Sequence, residues 1–290
     1  MSLSTVRQAP LVRGELKGGL LFMTTDEKFT ALKNRLKQMD RVIIAFSGGV
    51  DSTFLLKTAS IAGLSKVLAV TGVSASLSKD ECDFAKDMAQ SFGVDYRMIT
   101  TEELENTSYT DNSPDRCYHC KKDLFVRLKD IAVRENFPFV LDGTNADDAK
   151  DWRPGSRAAR EESVESPLFD IGFSKQEIRD VSKSLGLPTW NKPATPCLSS
   201  RFPYGQKITI EALGRVEKAE TFIRKFGVKE LRVRNHAEVA RIEILPEDFP
   251  RIMEGPVRDD INNYLKSIGF KYVTVDLQGF RSGSANEHLG

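Results

Sequence analysis

Two short stretches hold residues whose types and spacing can do chemistry. "SGGVDS", Ser47 to Ser52, gathers two glycines, two hydroxyls and a carboxylate. Glycine lets a backbone approach an anion closely, and such a turn aims several N–H groups at one point. "PDRCYHCKKDLF", residues 114–125, places Cys117 and Cys120 at CxxC spacing, in a chain with only four cysteines. A third, Cys197, lies far along in "KPATPCLSSRFPYG". The fourth, Cys82, sits in a helical pattern beside Phe84 and Ala85 and reads as a packing residue.

The first stretch needs a strand and a helix to hold it, and both are written around it. "RVIIAF" (41–46) is a short apolar run suited to a buried parallel strand, and "DSTFLLKTASIAG" follows as a helix. The loop therefore joins the carboxyl end of a first strand to a helix N-terminus. The helix dipole favours anions there, and open α/β sheets bind ligands there. Ser47, Gly48, Gly49, Val50, Asp51 and Ser52 are the candidate phosphate cradle. A Gly-Gly turn capped by Asp51 is the plainer reading. No lysine follows the glycines, so this is not a Walker A loop, and it is not the dinucleotide G-x-G-x-x-G either.

Further elements alternate along the chain. Phe29, Leu32, Leu36 and Met39 mark a helix over 26–39. Strands are expected at 66–71, 94–99 and 137–143, with a helix over roughly 118–136. Ser78 with Glu81, and Ser174 with Glu177, have the spacing of capping boxes; Gly93 and Gly186 would close the helices they open. Residues 144–165 read as polar and irregular. The fold class is therefore α/β, a parallel sheet with helices on both faces. After "RFPYG" (201–205) the order becomes helix (209–226), paired strands "ELRVRN" and "ARIEIL", helix (247–267) and strand "YVTVDL". This predicts a smaller C-terminal α+β domain over 206–290, a first domain over 23–205, and a disordered tail over 1–22.

Composition sets the class. Hydrophobic residues make up 40% and charged residues 29%, normal for a soluble globular chain. A net charge of +1 leaves no basic footprint for nucleic acid. No apolar run reaches membrane-span length, and the first 22 residues lack a signal-peptide core. The expected location is cytoplasmic, with thiols reduced. The cysteines then admit four readings. A redox CxxC leaves Cys197 idle. A zinc site usually wants four ligands, and His119 is badly placed between the pair. Inert buried thiols are a third reading. An iron–sulfur cluster on Cys117, Cys120 and Cys197 is the fourth; with three protein ligands, one iron stays open to an extra sulfide.

The loop resembles the PP-loop of the ATP pyrophosphatase superfamily, SGGxDS. That resemblance implies cleavage of ATP between the α- and β-phosphates, with AMP placed on a substrate oxygen. A nitrogen or sulfur nucleophile then displaces AMP. The stretch after residue 205 is too short for the glutaminase domain an amidotransferase would use. "AFSGGVDS", "LDGTNADD…DWRPG", "SRFPYG", "RVRNH…ARIE" and "YVTVDLQGFRSG" together are similar to the LarE sulfur transferases of nickel-pincer nucleotide synthesis, over about residues 24 to 284. The likeness implies that a carboxylate of pyridinium-3,5-biscarboxylic acid mononucleotide is adenylylated and then converted to a thiocarboxylate. Two rounds give the dithio compound that later binds nickel for lactate racemase. Well-known members instead sacrifice one cysteine near "SSRFPYG" and end as dehydroalanine. The three cysteines here are similar to the branch that holds a [4Fe-4S] cluster.

The resemblance also implies roles residue by residue. Lys121 and Arg201 would neutralise charge on the nucleotide phosphate or the acyl-adenylate. Glu220, Arg232 and Arg234 would form the substrate phosphate site; without the resemblance, the two arginines also read as a solvated strand face. Asp51 would help bind Mg²⁺ with the phosphates; Asp147 and Asp148 are weaker candidates, which read equally as a solvated acidic loop. Thr71 and Gly143 would line the adenosine pocket. The implied partners are ATP, Mg²⁺, the cluster, a small nucleotide substrate, an unnamed sulfide donor and further copies of the chain. Two rival readings are a PP-loop tRNA thiolase and a nucleotide-binding regulator that makes no product.

Overall fold

The computed structural model describes residues 23–150 and 154–281. The expected tail over 1–22 lies outside the described residues. So do 151–153 of "DWRPG" and the chain beyond 281.

Helix α1 (Thr25–Met39) opens on a capping box between Thr24 and Glu27 and buries Leu32, Leu36 and Met39. Strand β1 (Arg41–Ala45) follows, then α2 (Val50–Ile61), β2 (Lys66–Val73), α3 (Lys79–Ser91) and β3 (Asp95–Thr100). A single turn, α4 (Thr107–Thr110), precedes α5 (Arg116–Arg134) and β4 (Phe139–Leu141). The four strands are parallel in the order β3-β2-β1-β4. Strand β1 is interior and covered on both sides, which is why "VIIAF" (42–46) is apolar throughout. Val42 and Ile44 join the core with Leu32, Phe54, Leu55 and Ala85. Ile43 and Ala45 point the other way, onto Phe125, Leu128 and Ala158. Helices thus cover both faces, as expected.

Three differences from the sequence reading have local causes. Residues 144–165 are not irregular: a 3₁₀ turn (Ala146–Lys150) is followed by α6 (Pro154–Glu161). Pro154 starts that helix and Ala158 and Ala159 pack it against α5, a pairing the polar composition hides. Ser78 does cap α3, but its side chain makes no capping bond. Glu81 turns to Lys192 instead, at 2.8 Å. The Ser174–Glu177 box is formed and opens α8 (Lys175–Ser184), just after α7 (Pro167–Ile171).

The second sheet is built by α9 (Ile210–Arg224), β5 (Leu231–His236), β6 (Val239–Ile244), α10 (Phe249–Met253), α11 (Gly255–Ser267) and β7 (Tyr272–Val275). Its order is β5-β6-β7, antiparallel then parallel. The expected helix over 247–267 is two helices, broken at Glu254, whose extended backbone starts the "GP" of α11. The two sheets are joined by a third core, in which Tyr109 packs with Leu198, Phe202, Ile208, Leu213 and Val216.

Candidate active site

The cradle between β1 and α2 is shaped by its glycines. Gly48 has φ +69°, and a Cβ there would lie 3.2 Å from Phe84 Cδ1 and 3.3 Å from Ala85 Cα. Gly49 caps α2 with no side chain to bond the first N–H groups, leaving the helix end open to an anion. Ser47 and Ser52 hydroxyls face each other at 3.2 Å. Gly143, just past β4, is packed so closely that a Cβ would lie 2.9 Å from Ser52 N. Thr71 is buried, but its hydroxyl donates to Phe46 O at 2.6 Å and fastens β2 to β1.

Two lysines that the motif did not contain reach this loop. Lys175, first residue of α8, lies 2.5 Å from Asp51 Oδ2. Lys192 donates to Gly48 O at 3.4 Å and pairs with Glu81. Their approach depends on tertiary packing; only the nearby capping-box serine hinted at the first. Asp51 Oδ1 is buried and has no partner, so one carboxylate oxygen remains for a cation or a phosphate-bound water. Asp147 and Asp148 do not form a solvated acidic loop. Asp148 accepts from Asn145 N at 3.0 Å and Asp147 from Lys175 N at 2.7 Å, so both organise the turn before α8.

The CxxC lies inside the first turns of α5, which start earlier than expected, so Cys117 and Cys120 share one face of a helix. Cys197 caps a 3₁₀ turn (Leu198–Arg201). All four cysteines are free thiols. Cys117 is open to solvent by area yet surrounded by protein atoms, the signature of a recess. This desolvation pushes its thiol up, opposed by the neighbouring Arg116 and Lys121. Burial pushes Cys120 well up, helped by Glu103, Cys197 and Cys117. Negative charge on Cys197 would raise both helix thiols, so the 197 loop lies close to the start of α5. Cys82 packs, 8% exposed, as read from the sequence. Among the described residues, no three of His, Cys, Asp and Glu are grouped around a position for a metal ion. Lys121 turns toward the end of β4, 3.9 Å from Asp142.

The arginine-rich end is buried rather than solvated. Arg232 and Arg234 are 5% and 3% exposed. Arg201 forms a two-pronged pair with Glu220, at 2.8 and 3.1 Å, and also holds the Pro196 carbonyl at 2.8 Å. Arg201 thus fixes the cysteine loop, its charge already matched. Arg234 pairs with Glu243 at 3.0 Å and donates to Ser200 O at 2.7 Å. Among the described residues, no carboxylate lies within ion-pair range of Arg232; burial and the charges of Arg234 and Arg201, opposed by Glu243 and Glu220, push its guanidinium down to about 10. A cation so disfavoured is stabilised by an incoming anion. One segment, residues 192–201, runs past all three places: Lys192 at the cradle, Cys197 at the thiols, Arg201 at the arginines. The larger apolar groove, between α10, α11 and β7, lies away from all of them.

The sequence profile of the asparagine synthase family matches residues 29–132, which include the cradle. Over 268 residues the chain is 41% identical to the pyridinium-3,5-bisthiocarboxylic acid mononucleotide synthase of Lactiplantibacillus plantarum, covering 92% of this chain and 96% of that protein. The chain belongs to this LarE synthase family. As a LarE member it carries the PP-loop of ATP-using enzymes on the parallel sheet described above. An uncharacterized protein of Synechocystis is 42% identical over 264 residues, 91% of this chain and 98% of its own. A tRNA-specific 2-thiouridylase of Thermoanaerobacter is 23% identical over 64% of this chain.

Proposed function

We propose that this LarE protein is an ATP-dependent sulfur transferase that adenylylates a carboxylate of pyridinium-3,5-biscarboxylic acid mononucleotide and replaces AMP with sulfur. The observation that carries the reading is the single segment linking cradle, thiols and buried arginines. The product would serve nickel-pincer cofactor synthesis for lactate racemase, in the cytoplasm.

The residues divide the work. The Ser47–Ser52 loop and the start of α2 hold the pyrophosphate of ATP; Lys175 and Lys192 add positive charge at its rim. Asp51, with one oxygen unpartnered, fits a Mg²⁺ bound mainly by phosphate oxygens. A substrate carboxylate oxygen bonds to the α-phosphorus as the bond to pyrophosphate breaks. Arg232, without an ion-pair partner among the described residues, holds the substrate's phosphate, while Arg234 and Glu220 keep that end rigid. Sulfur then adds to the acyl carbon and AMP leaves. Lys121 stands between β4 and the thiols, placed to meet the charge on AMP. Cys117 and Cys120 on α5 and Cys197 at the head of the 197 loop, all free thiols, would hold a [4Fe-4S] cluster, and an iron left without a protein ligand would carry the sulfide to be transferred.

Iron and acid-labile sulfide should be measured after anaerobic purification. About four irons per chain are expected, lost on Cys117→Ser, Cys120→Ser or Cys197→Ser. A second reading has its own observation: Cys197, unlike the other two thiols, lines the cleft with Arg201 and Glu220. An iron-free but active wild type, with Cys197 lighter by one H₂S after turnover, would establish sacrifice and sink the cluster.

Lys175→Ala should slow substrate-dependent pyrophosphate release about tenfold, the scale of one charge-assisted hydrogen bond. Initial rates at several ATP concentrations check it; an unchanged rate removes Lys175 from the ATP site.

A further inference from the structure

Arg116, just before the CxxC, is 6% exposed. Its guanidinium cannot lose its charge in a protein, and a buried charge is costly unless paired. The other buried arginines show the contrast. Arg201 and Arg234 each face a carboxylate, at 2.8 and 3.0 Å. Arg232 does not, and it lies where the substrate phosphate is proposed. Arg116 likewise has no carboxylate within ion-pair range among the described residues. Its hydrogen bonds go to neutral acceptors, Asn112 Oδ1 and, at 3.0 Å, Ser199 O. Its Nε is buried with no partner. The Tyr204 ring is 5.9 Å away, at the outer limit of a cation–π contact. Of the acids nearest in the chain or the recess, Asp115 pairs with Arg157 at 3.6 Å, and Glu103, not in ion-pair contact with Arg116, accepts at Oε1 from the Ser74 and Ser76 hydroxyls. Burial opposes the Arg116 charge, but negative charge on Cys197, Cys117, Tyr109 and Tyr204 would outweigh it and push the guanidinium up.

We propose that Arg116 is an anion-binding residue of the sulfur site, holding anionic sulfur beside Cys117 and Cys197. The inference deepens the sulfur-transfer reading and rests on it for the identity of the anion. Geometry gives the residue two tasks. Its neutral hydrogen bonds pin the 199 turn to α5, and its unmatched charge attracts hydrosulfide or thiolate. A purely structural arginine would perform only the first.

The test uses full-length, iron-free protein under anaerobic conditions and two alkylating reagents, anionic iodoacetate and neutral iodoacetamide. Peptide mass spectrometry gives both rates at Cys117. Their ratio at one thiol cancels the thiolate fraction and reports the local field on an incoming anion. In wild type the iodoacetate/iodoacetamide ratio should exceed that of free cysteine in the same buffer by about fivefold or more. Arg116→Gln should return it to the free-cysteine value, and Arg116→Lys should keep it within about twofold of wild type. A wild-type ratio no higher than that of free cysteine overturns the proposal, and needs no variant to fold. An unchanged ratio in folded Arg116→Gln also overturns it. A raised, Arg116-dependent ratio in a protein that transfers no sulfur would keep the anion site and remove the sulfur-transfer reading. A normal ratio in an active enzyme would do the reverse.

Discussion

Replacing Gly143 by alanine should cut pyrophosphate release about a hundredfold or more. The added methyl would lie 2.9 Å from Ser52 N, 3.2 Å from Ser52 Cα and 3.3 Å from Asp51 C. All three are backbone atoms, so no side chain can swing aside. Strand β4 is tied to β1 through Ile43–Val140 and Ile44–Leu141, so it cannot retreat cheaply. The start of α2 must move, and with it the N–H groups that face the phosphates. A shift of an ångström in a positioning element is enough for an effect of that size. Steady-state pyrophosphate release with ATP and the biscarboxylic nucleotide checks the rate, and a thermal melt shows whether the sheet survives. A near-normal rate would mean that the cradle is not held by this contact.

Glu220→Ala should destabilise the protein by about 3–5 kcal/mol, the cost of orphaning a buried charge. Glu220 is 1% exposed and its oxygens accept from Arg201, Arg224 and Val233 N. Truncation leaves Arg201, 3% exposed, with backbone carbonyls and a serine hydroxyl alone. Since Arg201 holds the Pro196 and Cys197 carbonyls, the 197 loop should loosen as well. Urea unfolding measures the first effect. Faster alkylation of Cys197 measures the second. A loss below about 1 kcal/mol would show the pair to be replaceable.

What the sequence disclosed was local. The cradle is a strand, a turn and a helix contiguous in the chain, so residues 41–61 announce it. The alternation of Arg232 and Arg234 on one strand showed that they share a face, but not that the face is buried. That depends on α9 packing across β5, which no spacing reveals. Lys175 and Lys192 escaped notice because their places at the loop come from the packing of α8 and the segment after it. Nothing in the sequence singles out Arg116, two residues before the expected helix; only the return of the 199 turn buries it. Residues 154–161 looked irregular because their apolar face is just two alanines.

The bonds closing the thiol recess join distant parts of the chain: Tyr109 to Ser199 and Asn112 to Phe202 are each 90 residues apart. A chain still being synthesised therefore exposes the Cys117–Cys120 pair well before Cys197 exists, while N-terminal regions begin to fold first. The recess can close only after residues 199–202 have been made and have returned to α4 and the turn after it. The thiol pair on α5 therefore waits for a segment about eighty residues further along the chain before its surroundings are complete.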